Sequence, residues 1–241
     1  MNKIKISAVS YTNTKPFIYG IQHSSVLEKI ELSLDIPADC AKKLIENQVD
    51  IGLIPVAAIP FVPNAQIISS YCIGSVGAVN SVFIFSDVSI QEIKTVKLDP
   101  QSRTSNNLAK VLLKNHFKVE VDFITDTSVE TDAIVLIGDR TFGRKADFKY
   151  AYDMGEEWMK FTGLPFMYAA WVANKPIPEE FLKDFDEALG LGIQNIPTVI
   201  EELPVIEGID IEDYLLHKLN FNLTPEKLEA KDLFLKLIEE L

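Results

Sequence analysis

Several short polar stretches follow apolar, strand-like runs, and their side chains are the ones that could bind or convert a small molecule. The first is VSYTNTKPF at residues 9–17, which comes directly after the alternating run KIKISAV. Asn13 offers both a donor and an acceptor, Thr14 offers a hydroxyl, and Pro16 is typical of the first turn of a helix. Two interpretations remain open: Asn13 or Thr14 caps that helix, or this stretch faces a ligand.

A second stretch, GAVNSVFIFS at residues 77–86, places Ser81 within an otherwise apolar run. The run AVNSVFIFS predicts a long strand over residues 78–86. Gly77 allows the backbone to bend or to approach a ligand closely. A small hydroxyl inside a strand is often without a special role, so Ser81 is either a structural residue or a ligand contact.

The stretch DPQSRTSNNLAK, at residues 99–110, crowds hydroxyl groups at the start of a helix. The hydroxyls belong to Ser102, Thr104 and Ser105, with Arg103 among them. Unpaired backbone N–H groups and the helix dipole favour an anion at such a position, and an arginine can hold a carboxylate through two hydrogen bonds. Because a helix needs only one N-cap, three hydroxyls exceed the structural demand. The stretch therefore predicts an anion-binding site.

The run AIVLIGDRTF, at residues 133–142, is an apolar strand that ends in Gly-Asp. Proteins of the α/β class keep their binding sites at the carboxyl ends of strands, and Asp139 lies there. Asp139 is expected either to bind ligand hydroxyls or to brace a lobe of the protein.

The stretch YDMGEEWMKFTGLPFMYAAW, at residues 152–171, is dense in aromatic side chains. Such density is typical of a hydrophobic core, and one wall of a pocket for an aromatic ligand is the alternative.

Familiar catalytic and metal-binding motifs are absent from the sequence. It has no GxSxG, no Walker-type glycine loop, no GxGxxG after the first strand and no metal-ligand spacing, so we expect no bound metal. His23, His116 and His217 are not paired with a motif carboxylate or nucleophile. Cys40 and Cys72 are interpreted as buried thiols. The site is therefore expected to use Asn, Ser, Thr, Asp, Arg and backbone amides, which suits a small carboxylate ligand.

The bulk properties of the 241-residue chain exclude several classes of partner. Its hydrophobic fraction of 47% is ample for a core, and its formal net charge of −12 argues against nucleic acid and anionic membrane surfaces as partners. The N-terminal residues lack the apolar segment of a secretory signal, and no apolar run approaches the length of a membrane span. We therefore expect a cytoplasmic protein; the sequence does not indicate an oligomeric state.

Short strand-like runs alternate with helical patterns along the chain, which indicates the α/β class. Residues 87–166 form a βαβ-rich unit flanked by two long strands, and the chain beyond Pro178 is nearly all helical. This order predicts a type II periplasmic-binding-protein-like fold, with two α/β lobes and a ligand cleft between them. The first lobe would comprise residues 1–86 plus 167–241 with the C-terminal helices, and residues 87–166 would form an inserted second lobe.

Taken together, these segments resemble the chorismate dehydratase family of the futalosine route to menaquinone. The resemblance covers roughly residues 3–175 and includes, in this order, VSYTNTKPFIYGI, DIGLIPVAAI, GAVNSVFIFS, LDPQSRTSNNLAKVLL, LIGD and YDMGEEWMKFTGLPFMYAAWVA. It implies a binding-protein-like fold that acts as a lyase without a metal or organic cofactor. The implied reaction converts chorismate, the small-molecule substrate, into 3-[(1-carboxyvinyl)oxy]benzoate and water.

The resemblance also implies roles for individual residues. Asn13 and Ser81 match positions that take part in catalysis, where they would hydrogen bond to the reacting region of the substrate. Arg140, directly after the Ile-Gly-Asp triplet, departs from the small uncharged residue that is common there. The residues expected to bind substrate are Thr14, Ser102, Arg103, Thr104, Ser105 and Asp139.

Two alternative functions remain open. The first is 1,4-dihydroxy-6-naphthoate synthase, which acts in the same pathway and has the same fold, but whose opening SPCPNDT-like stretch and histidine base are not matched here. The second is a non-catalytic protein that binds a small carboxylate. We expect such a protein to carry a leader peptide or a fused DNA-binding domain, and neither is evident in the sequence.

Overall fold

The computed structural model describes residues 3–241 and contains two five-stranded sheets. The first sheet has the strand order β2-β1-β3-β10-β4. β1 runs parallel to β2 and β3, whereas β10 runs antiparallel to β3 and β4. β3 and β10 are buried along their whole length, as expected for apolar strands covered on both faces. The strands of this sheet are β1 (Ile4–Val9), β2 (Ile30–Asp35), β3 (Ile51–Pro55), β4 (Gln66–Ser75) and β10 (Phe166–Ala173).

The second sheet has the order β7-β6-β8-β5-β9. β6 runs parallel to β7 and β8, and β5 lies antiparallel to β8 and β9. Each sheet therefore mixes parallel strands with antiparallel ones, and the prediction of two α/β lobes is confirmed. The strands of this sheet are β5 (Val82–Ser86), β6 (Thr95–Lys97), β7 (Asp122–Ile124), β8 (Ala133–Ile137) and β9 (Tyr150–Asp153).

Two strand predictions differ from the structure. The strand expected over residues 78–86 begins only at Val82, because Gly77 and Asn80 both adopt positive φ values (81° and 59°) that turn the backbone. β9 was not predicted, since its four residues span the start of the aromatic-rich stretch and are too few to establish an alternating pattern.

The boundary between the lobes also shifts relative to the sequence pattern, which assigned residues 82–86 to the first lobe. In the structure β5 pairs with β8 and β9, so it belongs to the second sheet. We therefore propose a first lobe of about residues 3–75 plus 166–241 and a second lobe of about residues 82–162. The chain then crosses between the lobes twice, at residues 76–81 and 163–165.

Helices cover the faces of both sheets. The last helix is capped by Thr224, whose hydroxyl accepts a hydrogen bond from the Lys227 N–H. Within residues 3–241, no helix is long and apolar enough to cross a membrane. The helices are α1 (Lys15–Gln22), α2 (Val26–Lys29), α3 (Pro37–Ile45), α4 (Arg103–Val111), α5 (Met154–Thr162), α6 (Glu179–Gln194), α7 (Ile196–Glu202), α8 (Ile211–Asp213) and α9 (Pro225–Glu239), with π-helical turns at Leu112–Phe117 and Tyr214–Lys218.

α6 packs backbone to backbone against α1, the helix that follows the SYTNT stretch. A Cβ atom added to Gly192 would lie 1.8 Å from the Pro16 carbonyl oxygen, and one added to Gly20 would lie 1.9 Å from the Ala188 carbonyl oxygen. Only glycine permits this separation at both positions. The C-terminal part of the chain therefore fixes the position of the N-terminal polar stretch.

Most of the predicted aromatic cluster is core, as the first interpretation held. Trp158 and Trp171 are fully buried, and Trp158 makes edge-on contacts with Phe166 and Phe234 at centroid distances of 5.1 and 5.9 Å. Tyr168 is the exception, because it reaches the cleft described below.

The two cysteines are buried and unpaired, in agreement with the prediction. Burial raises the pKa of the Cys40 thiol to about 12, so this side chain stays protonated and inert.

Candidate active site

A cavity lies between the lobes, where the carboxyl ends of strands from both sheets meet. Val9 and Pro55 end β1 and β3 on one side, and Ile137 ends β8 on the other. The empty space is about 540 Å³ with its open mouth included. Carboxyl ends of neighbouring parallel strands converge, so polar residues that follow them share one site. The polar residues lining this cavity are Tyr11, Asn13, Ser81, Ser102, Thr104, Ser105 and Tyr168.

Asn13 lines the cavity from a single 3₁₀ turn, Thr12–Thr14, between β1 and α1. Thr14 occupies the N-cap position of α1, but neither its side chain nor that of Asn13 accepts a capping hydrogen bond. The fully buried Thr14 hydroxyl instead donates to Asn13 Oδ1 at 3.1 Å. Thr14 does not line the cavity, and its hydrogen bond holds the Asn13 amide in place.

Ser81 lines the cavity at the end of the crossover into β5. Its carbonyl accepts a hydrogen bond from the Gly138 N–H at 2.8 Å, which ties the crossover to the end of β8. Its hydroxyl accepts a hydrogen bond from the Tyr214 hydroxyl at 2.9 Å. Tyr214 lies on the C-terminal helical segment, so two segments 133 residues apart in sequence meet at Ser81.

The start of α4 forms the wall contributed by the second lobe. Ser102 is the N-cap: its Oγ accepts from the Ser105 N–H at 3.1 Å and donates to Ser105 Oγ at 3.0 Å. Thr104 Oγ1 accepts from the Ala57 N–H, on the first lobe, at 3.0 Å. Within the described chain, no protein acceptor faces the N–H groups of Arg103 and Thr104. These two donors at the positive end of the helix dipole remain available to an anion.

Arg103 does not join the cavity wall. Its side chain is exposed and lies over the ring of Phe61, with 4.8 Å between the guanidinium carbon and the ring centroid. In this conformation the donors that face the cavity at α4 are backbone N–H and hydroxyl groups, without the Arg103 guanidinium.

Asp139 braces the two lobes rather than facing the cavity, so the second of its two interpretations applies. Both carboxylate oxygens accept from the Thr12 N–H at 3.1 Å, and Oδ2 also accepts from the Thr12 hydroxyl at 3.0 Å. Burial raises the pKa of Asp139, and the hydrogen bonds from Thr12 oppose that rise. The neighbouring Gly138, not Asp139, lines the cavity.

Arg140 lies in the second lobe, beside a second link between the lobes. Its guanidinium donates to the buried Asp99 carboxylate at 2.6 Å. The adjacent Tyr11, which lines the cavity from the first lobe, donates to the side-chain oxygen of Gln101 in the second lobe. Three contacts therefore join the two lobes: Tyr11 with Gln101, Thr12 with Asp139, and Thr104 with Ala57.

Of the three tyrosines at or beside the cavity, Tyr168 lies in the aromatic-rich stretch that was given a pocket wall as its alternative, whereas Tyr11 and Tyr214 were not found from the sequence. Tyr11 stands inside the first polar stretch, which was the available signal for it. Tyr168 is buried within β10, and its hydroxyl lies 3.1 Å from Ser75 Oγ. Tyr168 and Tyr214 occupy apolar patterns in the sequence and therefore resemble ordinary core residues.

The histidine prediction needs one correction. His116 Nε2 lies 2.9 Å from Glu157 Oε2, a carboxylate within the aromatic-rich stretch. The pair was missed because 41 residues separate its members in sequence. Neither residue lines the cavity, so the pair does not supply a base there.

Solved structures with little sequence similarity share this architecture. A protein from Archaeoglobus fulgidus aligns with a TM-score of 0.75 at 16% identity, over 99% of this chain and 97% of that chain. An ABC transporter from Parabacteroides distasonis aligns with a TM-score of 0.68 at 15% identity, over 100% of this chain and 93% of that chain. The periplasmic aliphatic sulphonate binding protein from Escherichia coli aligns with a TM-score of 0.60 at 14% identity, over 100% of this chain and 92% of that chain. At these identities the similarity shows the fold, and the prediction of a periplasmic-binding-protein-like fold is confirmed.

The sequence itself matches a family model described as menaquinone biosynthesis. The match extends over residues 4–240, which include both lobes and every residue around the cavity. Because the match covers nearly all of the chain, it applies to the closed cleft as a whole rather than to one lobe. The chain belongs to the menaquinone biosynthesis family of enzymes.

Proposed function

We propose that this chain is a chorismate dehydratase, which removes water from chorismate to give 3-[(1-carboxyvinyl)oxy]benzoate. Membership of the menaquinone biosynthesis family supports a role in that pathway. The observation that carries the specific proposal is the joint presence of Asn13, Ser81 and the start of α4 around one interlobe cavity. That set combines an anion-binding helix end with neutral hydrogen-bonding groups, which suits a dicarboxylate that loses a hydroxyl group.

Binding of the substrate would use the start of α4. The free N–H groups of Arg103 and Thr104 lie at the positive end of the helix, and the Ser102 and Ser105 hydroxyls stand beside them. A carboxylate bound here would exchange its hydrogen bonds to water for hydrogen bonds to these fixed donors. No charged side chain would need to enter the cavity. The chain's net negative charge makes such a local arrangement necessary for an anionic substrate.

The reaction requires the loss of one proton and one hydroxide ion. Removal of the C3 hydrogen leaves an electron pair that is delocalised through the ring onto the ring carboxylate. Departure of the C4 hydroxyl as hydroxide then makes the ring aromatic, and the proton and hydroxide together form water. Fixed donors near the ring carboxylate stabilise the charge as it develops. Asn13 and Ser81 are assigned to hydrogen bonding with the reacting region, including the departing hydroxyl.

The proton acceptor is assigned to the substrate itself. Among residues 3–241, the side chains lining the cavity include no carboxylate, imidazole or amine. The remaining titratable groups there are Tyr11 and Tyr168, and burial raises the pKa of both phenols. A phenol that stays protonated is not a base at neutral pH. The enolpyruvyl carboxylate of chorismate lies beside C3 and can accept its proton within one bound molecule.

The experiment that tests this function is incubation of the purified protein with chorismate. The aromatic product is separated by liquid chromatography and identified by its mass and ultraviolet spectrum. We expect turnover in the wild type and a loss of at least about a hundredfold in Asn13→Ala and Ser81→Ala, the range seen when one fixed donor is removed.

The outcomes separate the candidate functions. Calorimetric binding of chorismate without any product would contradict the dehydratase and support a carboxylate-binding protein. Turnover that stays at the wild-type level in both alanine variants would leave the reaction standing and remove the assignment of Asn13 and Ser81.

A further inference from the structure

Tyr214 is buried beside the cavity without forming part of its wall. It begins the π-helical turn Tyr214–Lys218 that follows α8, and about 1% of its surface is exposed. Its ring packs edge-on against Phe142 at a centroid distance of 5.5 Å. Its hydroxyl donates to Ser81 Oγ at 2.9 Å, and the side chain of Asn13 lies close to the same hydroxyl. One phenol therefore touches both residues that are assigned to the reacting region.

The direction of the hydrogen bond determines where the Ser81 proton points. A phenol carries one proton, and Tyr214 donates it to Ser81 Oγ. Ser81 Oγ is thereby the acceptor in this pair, so its own proton is directed elsewhere. Among residues 3–241, no protein acceptor receives that proton, and Ser81 lines the cavity. The hydroxyl is thus left to donate into the cavity.

Tyr214 remains a donor under ordinary conditions. Burial raises the pKa of its phenol, and the hydrogen bonds with Ser81 and Asn13 only partly oppose that effect. The phenol therefore stays protonated at neutral pH and keeps a proton to donate to Ser81.

We propose that Tyr214 is a positioning residue that orients the Ser81 hydroxyl as a hydrogen-bond donor toward the departing hydroxyl of the substrate. This inference rests on the proposed dehydratase function. Without the phenol, the Ser81 hydroxyl can rotate and donate to other groups, so it faces the leaving group for a smaller fraction of the time. Because Tyr214 does not contact the cavity, substrate binding should change much less than the chemical step.

The test is a double-mutant cycle on Ser81 and Tyr214, measured with chorismate as substrate. We expect Tyr214→Phe to lower kcat by about tenfold or more and to change KM by less than about threefold. In the Ser81→Ala background, Tyr214→Phe should cause no further loss, because the group that it orients is absent. The matched control is Tyr152→Phe. It also loses one phenolic hydrogen bond, to the Ile90 N–H at 2.8 Å, but lies in the second sheet away from the cavity.

Each outcome decides the inference. Failure of the wild type to turn over chorismate contradicts the proposed function itself. If the wild type is active, kcat at the wild-type level in Tyr214→Phe contradicts the positioning role. Equal losses from Tyr214→Phe in the wild-type and Ser81→Ala backgrounds would mean that the Tyr214 hydroxyl acts independently of Ser81, which also overturns the inference. Melting temperatures are measured for all variants, and rates are compared at a temperature at which every variant is folded.

Discussion

The contact between α1 and α6 makes a quantitative prediction for Gly192→Ala. The new Cβ atom would lie 1.8 Å from the Pro16 carbonyl oxygen, whereas real Cβ contacts stay beyond 3.0 Å. The two helices must therefore separate by about 1 Å. Overpacking of this kind costs about 3 kcal/mol at the upper end of its usual range, and alanine returns about 1 kcal/mol of helix propensity. We expect a net loss of about 2 kcal/mol in the free energy of unfolding.

The loss should appear in both stability and activity. For a chain of this size about 1 kcal/mol corresponds to about 2–4 °C, so the melting temperature should fall by about 4–8 °C. Pro16 lies three residues after Asn13, so the displacement of α1 should reach the cavity. Turnover of chorismate should fall by about ten- to a hundredfold, as expected for a misplacement near 1 Å. Thermal unfolding followed by circular dichroism and the chorismate assay measure the two effects.

The same helix offers a matched control. A Cβ atom added to Gly190 would meet only the hydroxyl end of the Tyr71 side chain, at 2.7 Å, and that side chain can move. Gly190→Ala should therefore keep its melting temperature within about 3 °C of the wild type and retain its activity. Equal melting temperatures for Gly192→Ala and the wild type would refute the argument from backbone contact. Equal damage from both variants would show that α6 is sensitive to alanine in general.

Three further predictions follow from single contacts. Ser102→Ala removes the N-cap of α4 and should lower the free energy of unfolding by about 1 kcal/mol, measured by urea denaturation. Thr104→Val leaves the Ala57 N–H without its acceptor in the closed state, so KM for chorismate should rise by about tenfold with little change in kcat. Burial lowers the pKa of Lys227 in the folded state, so the unfolded chain binds the proton more tightly. The free energy of unfolding of the wild type should therefore rise with pH between that lowered pKa and about 10.4, the pKa of an unfolded lysine. In urea unfolding at several pH values, the stability difference between the wild type and Lys227→Met should shift in favour of the wild type as pH rises; a constant difference would contradict this.

The polar stretches could be located from the sequence because each is a local pattern. Apolar runs that end in polar residues predict strand ends, and hydroxyl residues before a helical pattern predict a helix start. In the structure Ser102 is the N-cap of that helix, and Asn13, Ser81 and the start of α4 lie at one cavity. The predicted contributions of Arg103 and Asp139 depended on where their side chains point, which a local pattern does not determine. Arg103 lies over Phe61, and Asp139 binds the Thr12 backbone.

Other features depend on contacts between distant parts of the chain. β9 is a strand because β5 offers it an edge, and its own four residues carry too weak a signal. The Tyr214 hydroxyl reaches Ser81 across 133 residues of sequence. In the sequence this tyrosine has the spacing of a core residue, since most of its surface is indeed packed in the core. Its single polar atom obtains a role only from the partner that the fold brings to it.

The sequence by itself therefore determined the α/β class, the two-lobed plan and the types of side chain available for chemistry. These properties follow from hydrophobic periodicity and from the geometry of strand and helix ends, which act over a few residues. The tertiary structure alone decided which side chains face the cavity, which brace the closed lobes, and which hydroxyl orients another. Those outcomes depend on where separate segments lie when apolar surfaces are buried, and the polar groups must then find partners among whatever the packing brings near.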